Sequence, residues 1–109
     1  MWGDRFAFDE AWVRSTAAFA FDRAYRPEGI ARLMLSGIGL PSLLDVQSEI
    51  ACPTLVMHGD ADPIFGLDHA RQTSARIASA QLWAVEGMGH VMHQEIWPEM
   101  VERVAALGG

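Results

Sequence analysis

Apolar residues recur at helical spacing through the first part of the chain and in short unbroken runs through the second. Trp12, Val13, Thr16, Ala17, Phe19 and Ala20 follow one another at intervals that keep to a helical face as far as Tyr25, behind Asp9, a residue type that caps helix starts. This pattern predicts an amphipathic helix. Arg26-Pro27-Glu28-Gly29 interrupts it, because proline holds the residue before it extended and opens a new turn well. A shorter helix over about residues 28–35 is expected next. Ser36-Gly37-Ile38-Gly39-Leu40-Pro41 then breaks regular structure, and Leu43, Leu44, Val46 and Ile50 lead toward the second half.

From Cys52 the period changes. Pro53-Thr54-Leu55-Val56-Met57 is a continuous apolar run ending in His58-Gly59, which reads as a buried parallel strand. After a polar turn, Leu67, Ala70, Ser74 and Ile77 mark a helix that Asp68 begins, and residues 80–85 make a second strand, completing a βαβ unit. Gly87-Met88-Gly89-His90 forms the exit loop. Trp97, Met100, Val101, Val104 and Leu107 then stripe a last helix entered through Pro98, before the closing Gly108-Gly109. Two parallel strands do not make a stable open sheet, so the expectation is an α/β fold of which this chain is the carboxyl-terminal part. The apolar Trp2 and Phe6, so near the first residue, point the same way. A strand built for two neighbours would leave an apolar edge, and self-association through that edge is expected.

The length, 109 residues, holds one domain at most, and such a domain buries roughly 60 to 70% of its unfolded surface. Half of the residues are hydrophobic and 20% are charged, which asks for a packed core rather than a disordered chain. The net charge is -6, and the eight basic residues are all arginines, spread from Arg5 to Arg103 without a cluster, so binding to a nucleic-acid backbone is not expected. Cys52 is the single cysteine, which precludes a disulfide within the chain and fits a reducing, cytoplasmic compartment; its thiol is expected to be buried. No basic, then apolar leader opens the sequence and no stretch approaches about 18 apolar residues, so neither a signal peptide nor a membrane span is expected.

Candidate chemistry lies at the strand ends. Asp62 stands four residues beyond His58 and His90 five beyond Val85, each on the loop leaving a strand. A right-handed βαβ crossover brings both loops to one edge of the sheet, the edge at which open α/β folds bind ligands. Asp62 and His90 can therefore meet. A carboxylate that accepts the imidazole Nδ1 proton fixes the tautomer and stabilises the imidazolium, leaving Nε2 as a general base.

Residues 53–63 have the form P-T-L-V-x-H-G-x-x-D-P and residues 87–90 the form G-x-G-H. In this order and spacing the sequence resembles the carboxyl-terminal section of the α/β-hydrolase family, most strongly over about residues 50–107. Glu95 and Pro98 are similar to the family's E-x-P lead into the final helix, stretched by one residue. Residues 26–32 resemble cap helices of aclacinomycin methylesterase-like members. The resemblance implies a helical cap segment and return to the core over residues 1–47, and the carboxyl-terminal part of a hydrolase core over 48–109. It implies Asp62 as catalytic acid, His90 as catalytic base, a small ester-like substrate in the intact enzyme, and no metal, nucleotide or flavin.

The family's chain order is serine, acid, histidine, with the serine on a G-x-S-x-G elbow that also helps build the oxyanion hole. No such elbow is present. The closest approach, Leu35-Ser36-Gly37-Ile38-Gly39, lacks a glycine two residues before Ser36, which makes Ser36 a poor nucleophile candidate. The chain is thus expected to be inactive alone. Two other readings remain open: an epoxide hydrolase or dehalogenase of the same fold, with an aspartate nucleophile, and a non-catalytic remnant or binding subunit. His58, Asp60, Asp62, His90 and His93 have the chemistry of a metal cluster, although helical i, i+4 ligand pairs are absent. More plainly, His58 is a strand-end residue whose Gly59 permits a tight exit, and Asp60 is a solvated turn residue. Trp12, Phe19, Met34 and Leu35 are candidates for ordinary core or, under a cap, for a substrate pocket.

Overall fold

The computed structural model describes residues 1–40 and 42–108. In chain order it forms α1 (Glu10–Arg23), α2 (Glu28–Ser36), α3 (Leu43–Ser48), β1 (Thr54–Gly59), α4 (Leu67–Arg76), β2 (Ala80–Val85), a 3-10 turn (Gln94–Ile96) and α5 (Trp97–Gly108). Helix and parallel strand are mixed, as an α/β pattern requires. The chain divides into two compact units, Phe8–Leu43 on the one hand and Met1–Ala7 with Leu44–Gly109 on the other. Residues 1–7 therefore group with the strands.

In the unit Phe8–Leu43, the Asp9 carboxylate accepts the Trp12 N–H at 2.9 Å and so caps α1, satisfying a backbone donor that has no partner inside the helix. Ala24 turns extended ahead of Pro27, and α2 starts directly after that proline. Neither helix has a buried residue, contrary to the amphipathic face expected of α1. The reason lies in the sequence: Phe19, Ala20 and Phe21 are consecutive, and at 100° per residue they cannot share one face. Phe19, Met34 and Leu35, candidates for core, are exposed. The break after α2 runs through a turn closed by Ile38 N–H on the Leu35 carbonyl, and Pro41 lies outside the described residues. The apolar connector beyond it forms the short helix α3, which its pattern did not announce.

In the other unit, β1 and β2 pair in parallel from Thr54 opposite Ala80 to Gly59 opposite Val85. Strand alternation decides what β2 buries, since successive side chains point to opposite faces. Trp83 and Val85 are buried with Phe6, Met88 and Ile96, and Leu55, Met57, Met92 and Met100 pack against that cluster. Leu82 and Ala84 face away and are exposed. β1 is half-buried along most of its length rather than fully buried, because it has a single strand neighbour among the described residues.

Helix α4 packs against both strands, with Ala70 and Ile77 buried. Gly66, not Asp68, occupies its N-cap; Asp68 sits inside the first turn and pairs with Arg71 at 3.0 Å. Cys52 is exposed instead of buried, since it lies in the bend before β1, where its carbonyl accepts the Thr54 hydroxyl at 2.8 Å. Helix α5 begins at Trp97, one residue before Pro98, and keeps Met100 on the core while Val101 and Val104 remain exposed. Its Arg103 guanidinium lies 4.3 Å from the Trp83 ring centroid, covering the indole with cationic surface. Among the described residues, no helix is long and apolar enough to cross a membrane.

Candidate active site

Parallel pairing brings the carboxyl ends of β1 and β2 side by side, and their exit loops are stitched together by backbone and side-chain bonds. Asp60 N–H donates to the Val85 carbonyl at 3.1 Å, and Ala61 N–H to the Met88 carbonyl at 3.0 Å. The Asp60 carboxylate accepts the Gly87 N–H at 2.7 Å. Asp60, read from the sequence as merely solvated, is thus the side chain that ties one loop to the other. Gly59 permits this approach: a Cβ there would run into the carbonyl oxygens of Met88 and Gly89.

Asp62 and His90 meet at this edge. His90 Nδ1 lies 2.8 Å from Asp62 Oδ2. The other carboxylate oxygen, Oδ1, accepts the backbone N–H groups of Ile64 at 2.8 Å and Phe65 at 3.0 Å, a local turn of the kind aspartate makes with the residues just after it. His58 Nε2 stands 3.4 Å from Oδ2 and donates to the Phe65 carbonyl at 2.8 Å. That carbonyl can only accept, so Nε2 of His58 carries a proton.

The Asp62 side chain is only 3% exposed, against 38% for His90. Burial pushes its carboxyl up, but the hydrogen bond from His90, the N–H groups of Phe65 and Ile64, and the charge of the His90 imidazole outweigh that and hold it down at about 2. Asp62 is therefore an anion throughout the neutral range. An ionised carboxylate accepts and does not donate, so Nδ1 of His90 carries the shared proton and Nε2 is the nitrogen left for an incoming one.

The histidine loop is held from outside. Gly89 N–H donates to the Trp2 carbonyl at 2.9 Å, Val91 N–H to the Met1 carbonyl at 3.1 Å, and Arg5 N–H to the Gly87 carbonyl at 3.3 Å. Below this contact Phe6 is buried and stacks on the buried ring of His93 at 5.0 Å, and Trp2 meets the same ring edge-on at 5.4 Å. His93 Nδ1 accepts the Glu95 N–H at 3.2 Å, so this histidine serves the core and the start of the 3-10 turn rather than the Asp62 cluster. Trp2 and Phe6, read from the sequence as a sign of a missing upstream segment, are the residues through which the first segment packs on the core.

A cavity of about 220 Å³ opens beside the pair, lined by His58, Asp62 and His90 with Gly59, Gly89, Met57, Met88 and Met92. None of these side chains carries a hydroxyl or a thiol. Ser36, the weak nucleophile candidate, belongs to the unit Phe8–Leu43 and donates its hydroxyl to the Leu33 carbonyl at 2.7 Å. Among the described residues, no three histidine, cysteine, aspartate or glutamate side chains are grouped to hold a metal ion. The arrangement provides a buried anion, an oriented imidazole and adjoining open space. No protein-family model matches the chain.

Proposed function

We propose that Asp62 and His90 are the acid and base of a Ser-His-Asp relay that hydrolyses ester or related acyl bonds, in the carboxyl-terminal part of an α/β-hydrolase fold. The observation that carries this reading is the 2.8 Å bond from His90 Nδ1 to a nearly buried carboxylate. In the relay, Nε2 of His90 takes the proton of a serine hydroxyl as its oxygen attacks the acyl carbon, and Asp62 stabilises the imidazolium so formed. Nε2 then returns the proton to the leaving alcohol, and the cycle repeats with water. The nucleophile and the oxyanion donors come from sequence outside these 109 residues. An aspartate nucleophile on the same framework would instead open epoxides or displace halide, with the same pair acting on water.

The test is ester hydrolysis by the chain joined to whatever coding sequence precedes it in its gene. Turnover is expected there and is expected to be absent from the 109 residues alone. Asp62→Asn keeps an oxygen for the two backbone donors but turns an amide N–H toward His90, forcing the wrong tautomer; kcat should fall on the order of 10⁴-fold, as in other Ser-His-Asp relays. Full activity in Asp62→Asn, or hydrolysis by the 109 residues alone that vanishes in Ser36→Ala, overturns the proposal. Turnover of epoxides but not esters moves it to the aspartate nucleophile, and binding without turnover moves it to a non-catalytic role.

A further inference from the structure

We propose that His58 is a positioning residue for Asp62, fixing which carboxylate oxygen is presented to His90; the inference rests on the catalytic reading of the Asp62–His90 pair for its functional meaning. Three contacts form a closed circuit. His58 holds the carbonyl of Phe65 at 2.8 Å, Asp62 holds the N–H of the same residue at 3.0 Å, and His58 Nε2 approaches Asp62 Oδ2 at 3.4 Å. His58 is the penultimate residue of β1, a strand paired along its whole length, so the circuit fastens a self-made loop to a rigid element.

The division of donors between the two oxygens is the point of the arrangement. Oδ1 faces two backbone N–H groups, and Oδ2 faces two imidazoles. A half-turn of the carboxylate would exchange the oxygens, and a smaller rotation would misalign the bond to His90, whose strength depends on direction. Such a rotation breaks the two N–H contacts of Oδ1 and the bond to His90 together. Without His58, Phe65 is released on its carbonyl side and the turn that defines Oδ1 loosens. The bond to the Phe65 carbonyl needs only the Nε2 proton.

The test is nuclear magnetic resonance of the His90 ring in the full chain, comparing His58→Phe, which keeps an aromatic ring but removes the donor, with His58→Gln, which keeps an N–H. In the unaltered chain the His90 Nδ1 proton should resonate downfield and exchange slowly with water. His58→Phe should move it upfield and speed its exchange by about tenfold or more, with the Trp83 and Val85 amide resonances unmoved. His58→Gln should restore most of the original signal. A His90 proton indifferent to His58→Phe overturns the proposal, as does failure of a folded His58→Gln to restore it, or absence of a protected proton in the unaltered chain. This readout requires no turnover. A proton that moves in Asp62→Asn but not in His58→Phe leaves the pair intact and removes only the role of His58; lack of ester hydrolysis removes the relay and leaves the ring measurement standing.

Discussion

The turn that carries Asp62 is closed mainly by residues close to it in sequence, whereas the loop that carries His90 leans on residues far from it in the chain. Asp62 accepts from Ile64 and Phe65, its own N–H donates to Gly59, and His58 closes the same stretch on the Phe65 carbonyl, all within eight consecutive residues. Gly87, Gly89 and Val91, by contrast, depend on Asp60 and on the carbonyls of Met1, Trp2 and, through Arg5, on the first segment of the chain. Asp62 is thus placed mainly by local chemistry and His90 mainly by tertiary structure. Local circuits survive damage elsewhere, while borrowed positions fail with their lender, so the two halves of the pair should respond differently to the same insult.

The largest difference should come from Phe6→Ala. Phe6 is 6% exposed and belongs to the core cluster, and truncating such a phenylalanine costs about 3–5 kcal/mol. Urea denaturation should report that loss. Hydrogen exchange should further show the Gly89 and Val91 amides losing protection before those of Ile64 and Phe65. Equal loss at all four amides would mean that the loops are one unit and that the contrast drawn between them is wrong.

The same contrast decides what was legible in the sequence. Asp62 is legible through its place in the P-T-L-V-x-H-G-x-x-D-P run and as the turn-making aspartate of an Asp-Pro pair, since its hydrogen-bond partners include its immediate neighbours Ile64 and Phe65. His90 is legible as a position, since parallel strands of equal length bring their exits together, but nothing local announces what steadies its loop. Trp2 and Phe6 are apolar enough to catch the eye, but nothing local says that they pack on His93 and the core, because two apolar residues in a non-periodic segment have no face to count. Asp60 escapes for the same reason: its partner, Gly87, is 27 residues away. Periodicity misleads in α1, where spacing alone cannot tell a buried stripe from apolar residues wound round the whole helix. It also overstates the burial of β1, because an apolar run reports what a strand can bury and not how many neighbours it has. Apart from Pro53, which precedes β1, the strand and the parallel βαβ order follow from the run lengths and turn residues.

A smaller but more selective effect is expected from Gly89→Ala. A Cβ at this position would meet the carbonyl oxygen of Met1, so the first segment must move away or the loop must shift. Overpacking of this kind costs about 1–3 kcal/mol. The Gly89 and Val91 amides should exchange faster while the turn at Asp62 is preserved. Unchanged protection at Val91 would show that the amino-terminal segment is not what holds the histidine loop.

Acid should reverse the order of failure. The Asp62 carboxyl is held at about 2, below its ordinary 3.8, so the folded form binds this proton less readily than the unfolded form. The stability it contributes is complete above about pH 4 and is lost as pH falls from there toward 2. Thermal unfolding across this range should show a loss that Asp62→Asn lacks, with the Ile64 and Phe65 amides opening first. A wild-type profile that parallels Asp62→Asn would remove the ionised acid from the site.

The mildest perturbation tests the link between the loops. Asp60 is exposed, and its carboxylate accepts the Gly87 N–H across the gap between the exits. Asp60→Ala leaves that donor to water, which can reach it at this exposed position, so the cost should be about 0.5–1.5 kcal/mol. Asp60→Asn retains an acceptor oxygen and should recover most of the loss. Because backbone bonds from Asp60 to Val85 and from Ala61 to Met88 persist in either variant, the loops should stay adjacent and the His90–Asp62 bond should survive with a broader range of geometries. The informative measurement is therefore the order parameter of the Gly87 amide against that of Phe65: Asp60→Ala should lower the first and spare the second. A drop confined to Phe65 would mean that Asp60 stiffens its own loop, and the histidine loop would then owe its position to the amino-terminal segment alone.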